Sequence, residues 1–272
     1  MKRGRVAWRG AIHEVMDAGP VGASPGDAHF RLANRQLVDP REAVWLPPLA
    51  PTERPRTIFA VEANYADHVR ELEFKAPDRP VIFLKGVNSL IGHRGVTPRP
   101  ADATYMHHGC GLAVVIGKSA RRVTRADAYE YIGGYTVAND YTIRDYLENY
   151  YRPNFRVKSR DACTPIGPWL VDASDVRNPM NLRLTTTVNG TLTQRGSTAD
   201  MVFDIAFLIA YLSAFMTLSP GDIILTGTPD GVSGVHAGDE VITEVGGIGR
   251  LMNTIVHEGS GDAEAPSPPT SG

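Results

Sequence analysis

Cysteine, long apolar runs and an excess of charge of one sign are all scarce in this 272-residue sequence. The two cysteines, Cys110 and Cys163, exclude a disulfide framework and indicate a reducing cytoplasm. The most apolar stretch, residues 203–216, is interrupted by polar residues and is shorter than the roughly 20 residues of a membrane span. No apolar run of signal-peptide length follows the basic N-terminus. With 28 Lys and Arg against 30 Asp and Glu, nothing indicates a nucleic-acid or membrane partner.

The composition changes along the chain and divides it into three regions. Residues 1–55 are rich in Gly, Pro and Arg, end in a proline-rich segment, and predict a small N-terminal β domain. Residues 56–257 contain nearly all the patterned sequence and predict the main domain. Residues 258–272 offer little to bury and predict a disordered tail.

Short strands dominate the pattern. Residues 112–116 are a continuous apolar run that predicts a strand buried on both faces. Residues 182–188 alternate, and Asn189-Gly190 then predicts a hairpin turn into residues 191–194. Further strands are predicted at the following positions: 5–8, 222–225, 240–245 and 250–256.

Helices are few. Apolar residues at helical spacing predict a helix over 205–216, with Asp204 as its N-cap. A shorter helix is predicted from Thr124, as the cap, to Tyr131. The fold class is therefore a β-rich mixed α+β fold.

A histidine and a glutamate three residues apart are the first candidates for chemistry. His68 and Glu71 lie on one face of a predicted helical turn, where the carboxylate can orient the imidazole. Such a pair can activate water or move a proton on carbon. The alternative is an incidental ion pair on a helix surface.

Two further candidates follow predicted strands. Lys85 ends the apolar segment Pro80-Val-Ile-Phe-Leu-Lys85, a predicted strand, and can present a cation to an anionic substrate, or simply extend into water. Thr228 lies in the glycine-rich segment Thr226-Gly-Thr-Pro229, where the backbone can approach a ligand and Thr228 can donate a hydrogen bond. A plain tight turn explains these glycines equally well.

A cluster of charges follows the predicted strand at residues 135–138. Asp140 closes that strand, where a carboxylate is unfavourable unless it faces a metal or a cation. Several cations within about twenty residues are suited to binding substrate carboxylates, although surface ion pairing is the alternative: Arg144, Arg152, Lys158 and Arg160.

Taken in order, these segments resemble the fumarylacetoacetate hydrolase family over roughly residues 56–256. The matching motifs include Asn64-Tyr-Ala-Asp-His68, Leu112-Ala-Val-Val-Ile-Gly117, Gly133-Gly-Tyr-Thr-Val-Ala-Asn-Asp140, Leu218-Ser-Pro-Gly-Asp222 and Thr226-Gly-Thr-Pro229. Asp145-Tyr-Leu-Glu-Asn-Tyr-Tyr-Arg-Pro153 with Val157-Lys-Ser-Arg-Asp161 looks most like the isomerase/decarboxylase branch of homoprotocatechuate (4-hydroxyphenylacetate) breakdown.

The resemblance implies a mixed β-roll core with a small N-terminal domain, a homodimer, and a site for Mg²⁺ or Mn²⁺. In the family a Glu-x-Glu pair on one strand face and a later Asp hold the metal, which chelates a 2-oxo carboxylate and stabilises an enolate. Asp140 matches the later Asp, Lys158 the site lysine, and His68 with Glu71 the dyad of some members.

Three positions depart from the family pattern. Gly109 and Gly111 occupy the two glutamate positions, and Glu62 stands where the family usually has glycine. His107 shares the strand face of Gly109, whereas His108 and Cys110 are predicted to point away. We therefore expect Asp140 as the remaining protein ligand and weakened metal binding.

The predicted function is isomerisation or decarboxylation of an unsaturated 2-oxo dicarboxylate in aromatic catabolism, with His68, Glu71 and Lys158 as catalytic residues. The predicted substrate contacts are Lys85, Arg144, Tyr151, Arg152 and Thr228. One alternative is carbon–carbon hydrolysis of an acylpyruvate such as fumarylpyruvate. An alternative of another class is a metal-deficient, largely inactive family member.

Overall fold

The computed structural model describes residues 1–16, 30–32, 36–39, 42–71, 77–147 and 155–259. Within these residues the strands are β1 Lys2–Trp8, β2 Ala11–Met16, β3 Phe30–Leu32, β4 Leu37–Val38, β5 Val44–Leu46, β6 Ile58–Glu62, β7 Val81–Lys85, β8 Leu90–Ile91, β9 Gly95–Arg99, β10 Met106–His107, β11 Cys110–Ile116, β12 Ile132–Asn139, β13 Thr142–Ile143, β14 Thr164–Asp172, β15 Arg183–Val188, β16 Thr191–Ser197, β17 Ile223–Leu225, β18 Glu240–Val245 and β19 Gly249–His257. The α-helices are α1 Ala66–Glu71, α2 Phe155–Lys158 and α3 Ile205–Phe215. The predominance of strand confirms the predicted β-rich α+β class.

A 12-stranded mixed sheet forms the main layer, with the order β4-β3-β2-β1-β14-β12-β11-β17-β6-β7 along its principal path. At its centre lies β11, whose seven residues are all buried, as the continuous apolar run predicts. The N-terminal strands are part of this same sheet, because β1 pairs with β14 through Lys2 and Val171. The division at residue 55 stays a prediction.

A second sheet of five strands runs in the order β16-β15-β18-β19-β9. Its hairpin confirms the predicted turn, since Asn189 and Gly190 have φ angles of 51° and 81° between β15 and β16. Leu184, Val245 and Leu251 of this sheet belong to the same buried core as Leu112 and Val137 of the main sheet. The two sheets therefore pack against each other across one apolar core.

The helix predicted over 205–216 is confirmed as α3, and the Asp204 carboxylate accepts a 2.7 Å hydrogen bond from the backbone N–H of Phe207. The helix predicted from Thr124 is wrong, because only a 3₁₀ turn forms at Ala128–Tyr131. Thr124 does bond to Asp127, but the Tyr131 carbonyl accepts from the Gly117 N–H at 2.8 Å. This contact with the segment after β11 ends the turn. None of the described helices has both the length and the apolar character needed to cross a membrane.

Candidate active site

One cavity lies where β6, β10 and β12 end and β11 begins, beside the loop after β17. Its wall includes most of the residues that the sequence singles out: His68, Gly109, Gly111, Asp140, Arg144, Lys158 and Thr228. Strand register brings them together, because Cys110 pairs with Asn139 and Ala113 with Leu225. Asp140 therefore lies opposite Gly109, and its N–H donates to the Gly109 carbonyl at 2.9 Å.

Asp140 is held between two lysines. Lys158 Nζ donates to Asp140 Oδ2 at 2.7 Å, and Lys85 Nζ donates to Oδ1 at 2.5 Å. Burial alone would raise the pKa of the Asp140 carboxyl, but the charges and hydrogen bonds of Lys158 and Lys85 outweigh it and lower the pKa to about 2. Asp140 is therefore a carboxylate at neutral pH, with an ammonium group on each oxygen.

Lys85 lies beneath Asp140 and does not line the cavity. Its side chain has no exposed surface, and its ammonium group also donates to the Lys158 carbonyl. We predicted a direct substrate contact from its position at the end of a strand. In the structure its ammonium group holds Asp140 Oδ1 and the Lys158 carbonyl, and its direct contact with substrate stays a prediction.

Arg144 reaches the cavity from the 3₁₀ turn that follows β13 and is fixed there by a histidine. Arg144 Nε donates to His107 Nε2 at 2.9 Å, while His107 Nδ1 lies 2.8 Å from the His108 carbonyl. Since arginine only donates, the His107 proton is on Nδ1 and the ring is neutral. Burial lowers the pKa of His107 to about 3, which keeps it neutral.

The His68–Glu71 dyad forms on α1 as predicted from its spacing. His68 Nδ1 lies 2.7 Å from Glu71 Oε2, and His68 is buried with its ring at the cavity wall. Glu71 Oε1 also accepts from the Gly231 N–H at 3.1 Å. This second bond ties α1 to the loop that carries Thr228, and the remaining ring nitrogen of His68, Nε2, is left for proton transfer.

A buried polar network supports Thr228, and the sequence pattern did not reveal it. Gln194 Nε2 donates to Thr228 Oγ1 and to the Pro229 carbonyl, both at 2.9 Å. Gln194 Oε1 accepts from His108 Nδ1 at 2.9 Å and from the Cys110 N–H at 3.1 Å. His108 and Cys110 thus point away from the cavity, as strand alternation predicts.

The remaining predicted contacts do not line this cavity or fall outside the described residues. Arg160 pairs with Glu258 and is absent from the cavity wall. Tyr151 and Arg152 lie outside the described residues, as does the predicted tail beyond residue 259. Glu62, at the end of β6, places a further carboxylate-bearing residue in the cavity wall.

The comparisons with known proteins agree with this architecture. Residues 57–256 match the fumarylacetoacetate (FAA) hydrolase C-terminal family. The chain belongs to this family. It is 59% identical over 204 residues to the 4-hydroxyphenylacetate degradation bifunctional isomerase/decarboxylase of Salmonella dublin, which covers 75% of this chain and 48% of that protein. It is 55% identical over 223 residues to the homoprotocatechuate catabolism bifunctional isomerase/decarboxylase of Escherichia coli, covering 82% and 52%.

Two solved structures resemble the chain over nearly all of its length. The 5-carboxymethyl-2-hydroxymuconate delta-isomerase of Mycobacterium smegmatis has a TM-score of 0.80 and 37% identity, covering 96% of this chain and 100% of that one. The 2-hydroxyhepta-2,4-diene-1,7-dioate isomerase of Mycobacterium marinum has a TM-score of 0.81 and 32% identity, with the same coverage. The chain spans about half the length of the curated relatives it matches. The predicted family resemblance is confirmed.

Enzymes of this family generally use a divalent metal, and the residues at this site do not fit one. Both Asp140 oxygens are bound by ammonium groups, and both His107 nitrogens have protein partners. In the described part of the chain, no group of three or more His, Cys, Asp or Glu side chains is placed to hold a metal ion.

Both glycine positions lie close to neighbouring backbone. A Cβ at Gly111 would lie 2.8 Å from the Gly227 carbonyl oxygen, and a Cβ at Gly109 would lie 3.0 Å from that of Asp140. The Gly111 contact is closer than real Cβ atoms make and the obstacle is backbone. A glutamate at 111 therefore requires the Gly227 loop to move.

Proposed function

We propose that the chain isomerises or decarboxylates unsaturated 2-oxo dicarboxylates in aromatic catabolism. The observation that carries the proposal is the cavity in which the His68–Glu71 dyad shares a wall with Lys158 and Arg144. A proton-transfer group and two cations in one pocket suit a substrate with an ionised carboxylate beside a reacting carbonyl. The names of the Salmonella and Escherichia relatives support this substrate class.

Isomerisation requires a proton to leave one end of a conjugated system and another to arrive further along. His68 Nε2 accepts the proton of the 2-hydroxyl group, and the O–H electron pair forms the carbonyl at carbon 2. The displaced double-bond electrons pass along the diene to a carbon that takes up a proton, which His68 can return. Glu71 holds the ring in position and stabilises its protonated form.

Decarboxylation uses the same delocalised anion. The bond between the substrate chain and its carboxylate breaks, carbon dioxide leaves, and the bonding pair passes into the conjugated 2-oxo group, which becomes the enolate. Lys158 and Arg144 stabilise the negative charge on the enolate oxygen and the adjacent carboxylate. We include Thr228, whose hydroxyl oxygen accepts a hydrogen bond from Gln194, among the proposed contacts at the same end of the substrate.

A second candidate is carbon–carbon hydrolysis of an acylpyruvate. It is favoured by the likeness to the fumarylacetoacetate hydrolase of Exiguobacterium antarcticum, with a TM-score of 0.79 and 30% identity, which covers 95% of this chain and 100% of that one. Hydrolysis requires the dyad to activate a water molecule, whereas isomerisation requires only proton transfer to and from the substrate.

The test supplies the seven-carbon 2-hydroxy-diene dioate and fumarylpyruvate side by side. Loss of the conjugated dienol absorbance without carbon–carbon cleavage supports the isomerase, and release of pyruvate from fumarylpyruvate supports the hydrolase. Turnover of neither, by a folded protein, supports the inactive family member instead. We also propose that the protein is cytoplasmic and forms a homodimer. Sedimentation at several protein concentrations tests the dimer, because it measures the mass of the species in solution.

A further inference from the structure

We propose that Lys158 and Arg144 bind the carboxylate end of the 2-oxo acid directly, with no divalent cation between protein and substrate. This inference rests on the proposed function, because it concerns the same cavity and substrate class. It goes further in assigning the role of the family's metal to side chains of this chain.

The charge at the site supports this assignment. Replacing two glutamates by Gly109 and Gly111 removes two negative charges. Leaving out one divalent cation removes two positive charges and so balances that loss, while Glu62 adds one carboxylate to the cavity wall. With the glutamates gone, the cations of Lys158 and Arg144 face the cavity without those two carboxylates to neutralise them.

The contacts of Asp140 also support binding of the carboxylate without a divalent cation. A divalent cation at this position would have to displace Lys158 or Lys85 from a carboxylate oxygen that each holds within hydrogen-bond distance. It would then lie beside a displaced ammonium group in a buried site, where like charges repel strongly. Asp140 therefore acts as the counter-ion that fixes Lys158 at the cavity wall.

Both cations keep donors for a ligand. Lys158 Nζ donates to Asp140 and to Thr142 Oγ1 at 2.9 Å, which leaves one of its three donors. Arg144 uses Nε for His107, and its two terminal nitrogens have no hydrogen-bond partner in the described part of the chain. A carboxylate can therefore take a paired contact from Arg144 and a single one from Lys158.

Oxalate is a suitable probe, because its two adjacent carboxylates resemble a 2-oxo carboxylate. Calorimetry on the full chain compares oxalate binding in excess EDTA with binding in Mg²⁺ or Mn²⁺. We expect the same Kd for free oxalate, within about twofold, in all three conditions, after correction for the oxalate that the metal binds in solution, because side chains and not a metal ion make the contacts. Binding that appears only with added metal would overturn the proposal.

Lys158→Met tests the named side chain, and Arg160→Met is its matched control. Both remove a cation from the same segment, but Arg160 pairs with Glu258 outside the cavity wall. The loss of a charged hydrogen bond predicts oxalate binding weakened by about 10-fold or more in Lys158→Met, and unchanged binding in Arg160→Met. Equal Kd values in the two variants would contradict the assignment.

Comparing Gly109→Glu with Gly109→Gln separates the effect of an added negative charge on oxalate binding from the effect of added side-chain volume. Both add a similar side chain near the Asp140 carbonyl and Thr228, but only Glu adds a negative charge. In EDTA we expect Glu to bind oxalate at least about 10-fold more weakly than Gln, by the repulsion of like charges. Equal binding would count against the proposal.

Failure of this inference is distinguishable from failure of the proposed function. Metal-independent oxalate binding without turnover of the diene dioate would refute the function and keep the anion site. Turnover that requires added Mg²⁺, together with metal-dependent oxalate binding, would keep the function and refute the anion site.

Discussion

Asp140→Asn removes the one charge that holds two buried lysines together. The side chains of Lys85 and Lys158 are only 0% and 12% exposed, so neither ammonium group is well hydrated once its counter-ion is lost. The pKa of Asp140 falls from 3.8 to about 2, which corresponds to roughly 2 kcal/mol of preference for the ionised form. Leaving two unpaired ammonium groups adds to this, and we expect a total loss of about 3–5 kcal/mol in the free energy of unfolding.

Urea denaturation of four proteins tests this reasoning: the wild type, Asp140→Asn, Lys85→Met, and the double variant. Lys85→Met alone should destabilise the protein, because it leaves Asp140 with one partner. In the Asp140→Asn background the same change should recover at least about 1 kcal/mol, because it removes an unpaired buried charge. Additive losses in the double variant, or a loss below about 1 kcal/mol in Asp140→Asn, would refute the counter-ion account.

Three further predictions concern pH, the dyad and a helix cap. Burial lowers the pKa values of His93 and His107 to about 3 and of His108 to about 4, so between about pH 6.5 and pH 4 these three rings take up protons only in the unfolded chain. The free energy of unfolding should be constant above that pH and fall by about 1.4 kcal/mol per pH unit for each histidine towards pH 4, and a flat profile would contradict it. Glu71→Gln should slow isomerisation by about 10- to 100-fold while leaving the oxalate Kd unchanged, whereas a changed Kd with normal turnover would oppose its role in proton transfer. Asp204→Ala should lower the free energy of unfolding by about 1 kcal/mol through loss of the cap of α3, and no change by thermal melting would count against the cap.

Local sequence patterns predict several of the strands, turns and helices that the structure contains. The apolar run at residues 112–116, the Asn189-Gly190 turn and the spacing of α3 all predict elements that the structure contains. Each is decided by nearby residues, through burial on two faces, positive φ angles or an apolar helix stripe. The helix predicted from Thr124 is replaced by a 3₁₀ turn, and the Tyr131 carbonyl at its end accepts from Gly117, a contact distant in sequence that no local pattern indicates.

The site was only partly predictable for the same reason. The dyad depends on residues three apart, so its spacing indicates the contact between His68 and Glu71. The bond from Lys85 to Asp140 spans 55 residues, and that from Arg144 to His107 spans 37. No local pattern distinguishes a lysine that contacts substrate from one that lies beneath a carboxylate.

Gln194 shows how a buried polar residue escapes a pattern of alternation. It lies in β16, a strand otherwise largely exposed, yet it is 1% exposed and bonds to Thr228, His108 and the Cys110 N–H. Its role follows from the packing of the five-stranded sheet against the end of β11. No local sequence pattern predicts a buried amide at this position.

The most direct test of the central claim follows the 2-hydroxy-diene dioate in D₂O by NMR, in excess EDTA, with wild type and His68→Ala. The account predicts that wild type converts the dienol to its oxo isomer with deuterium incorporated at the newly protonated carbon, and that His68→Ala slows this at least about 100-fold. Wild type that neither isomerises nor exchanges the substrate, or His68→Ala that matches it, would contradict the account.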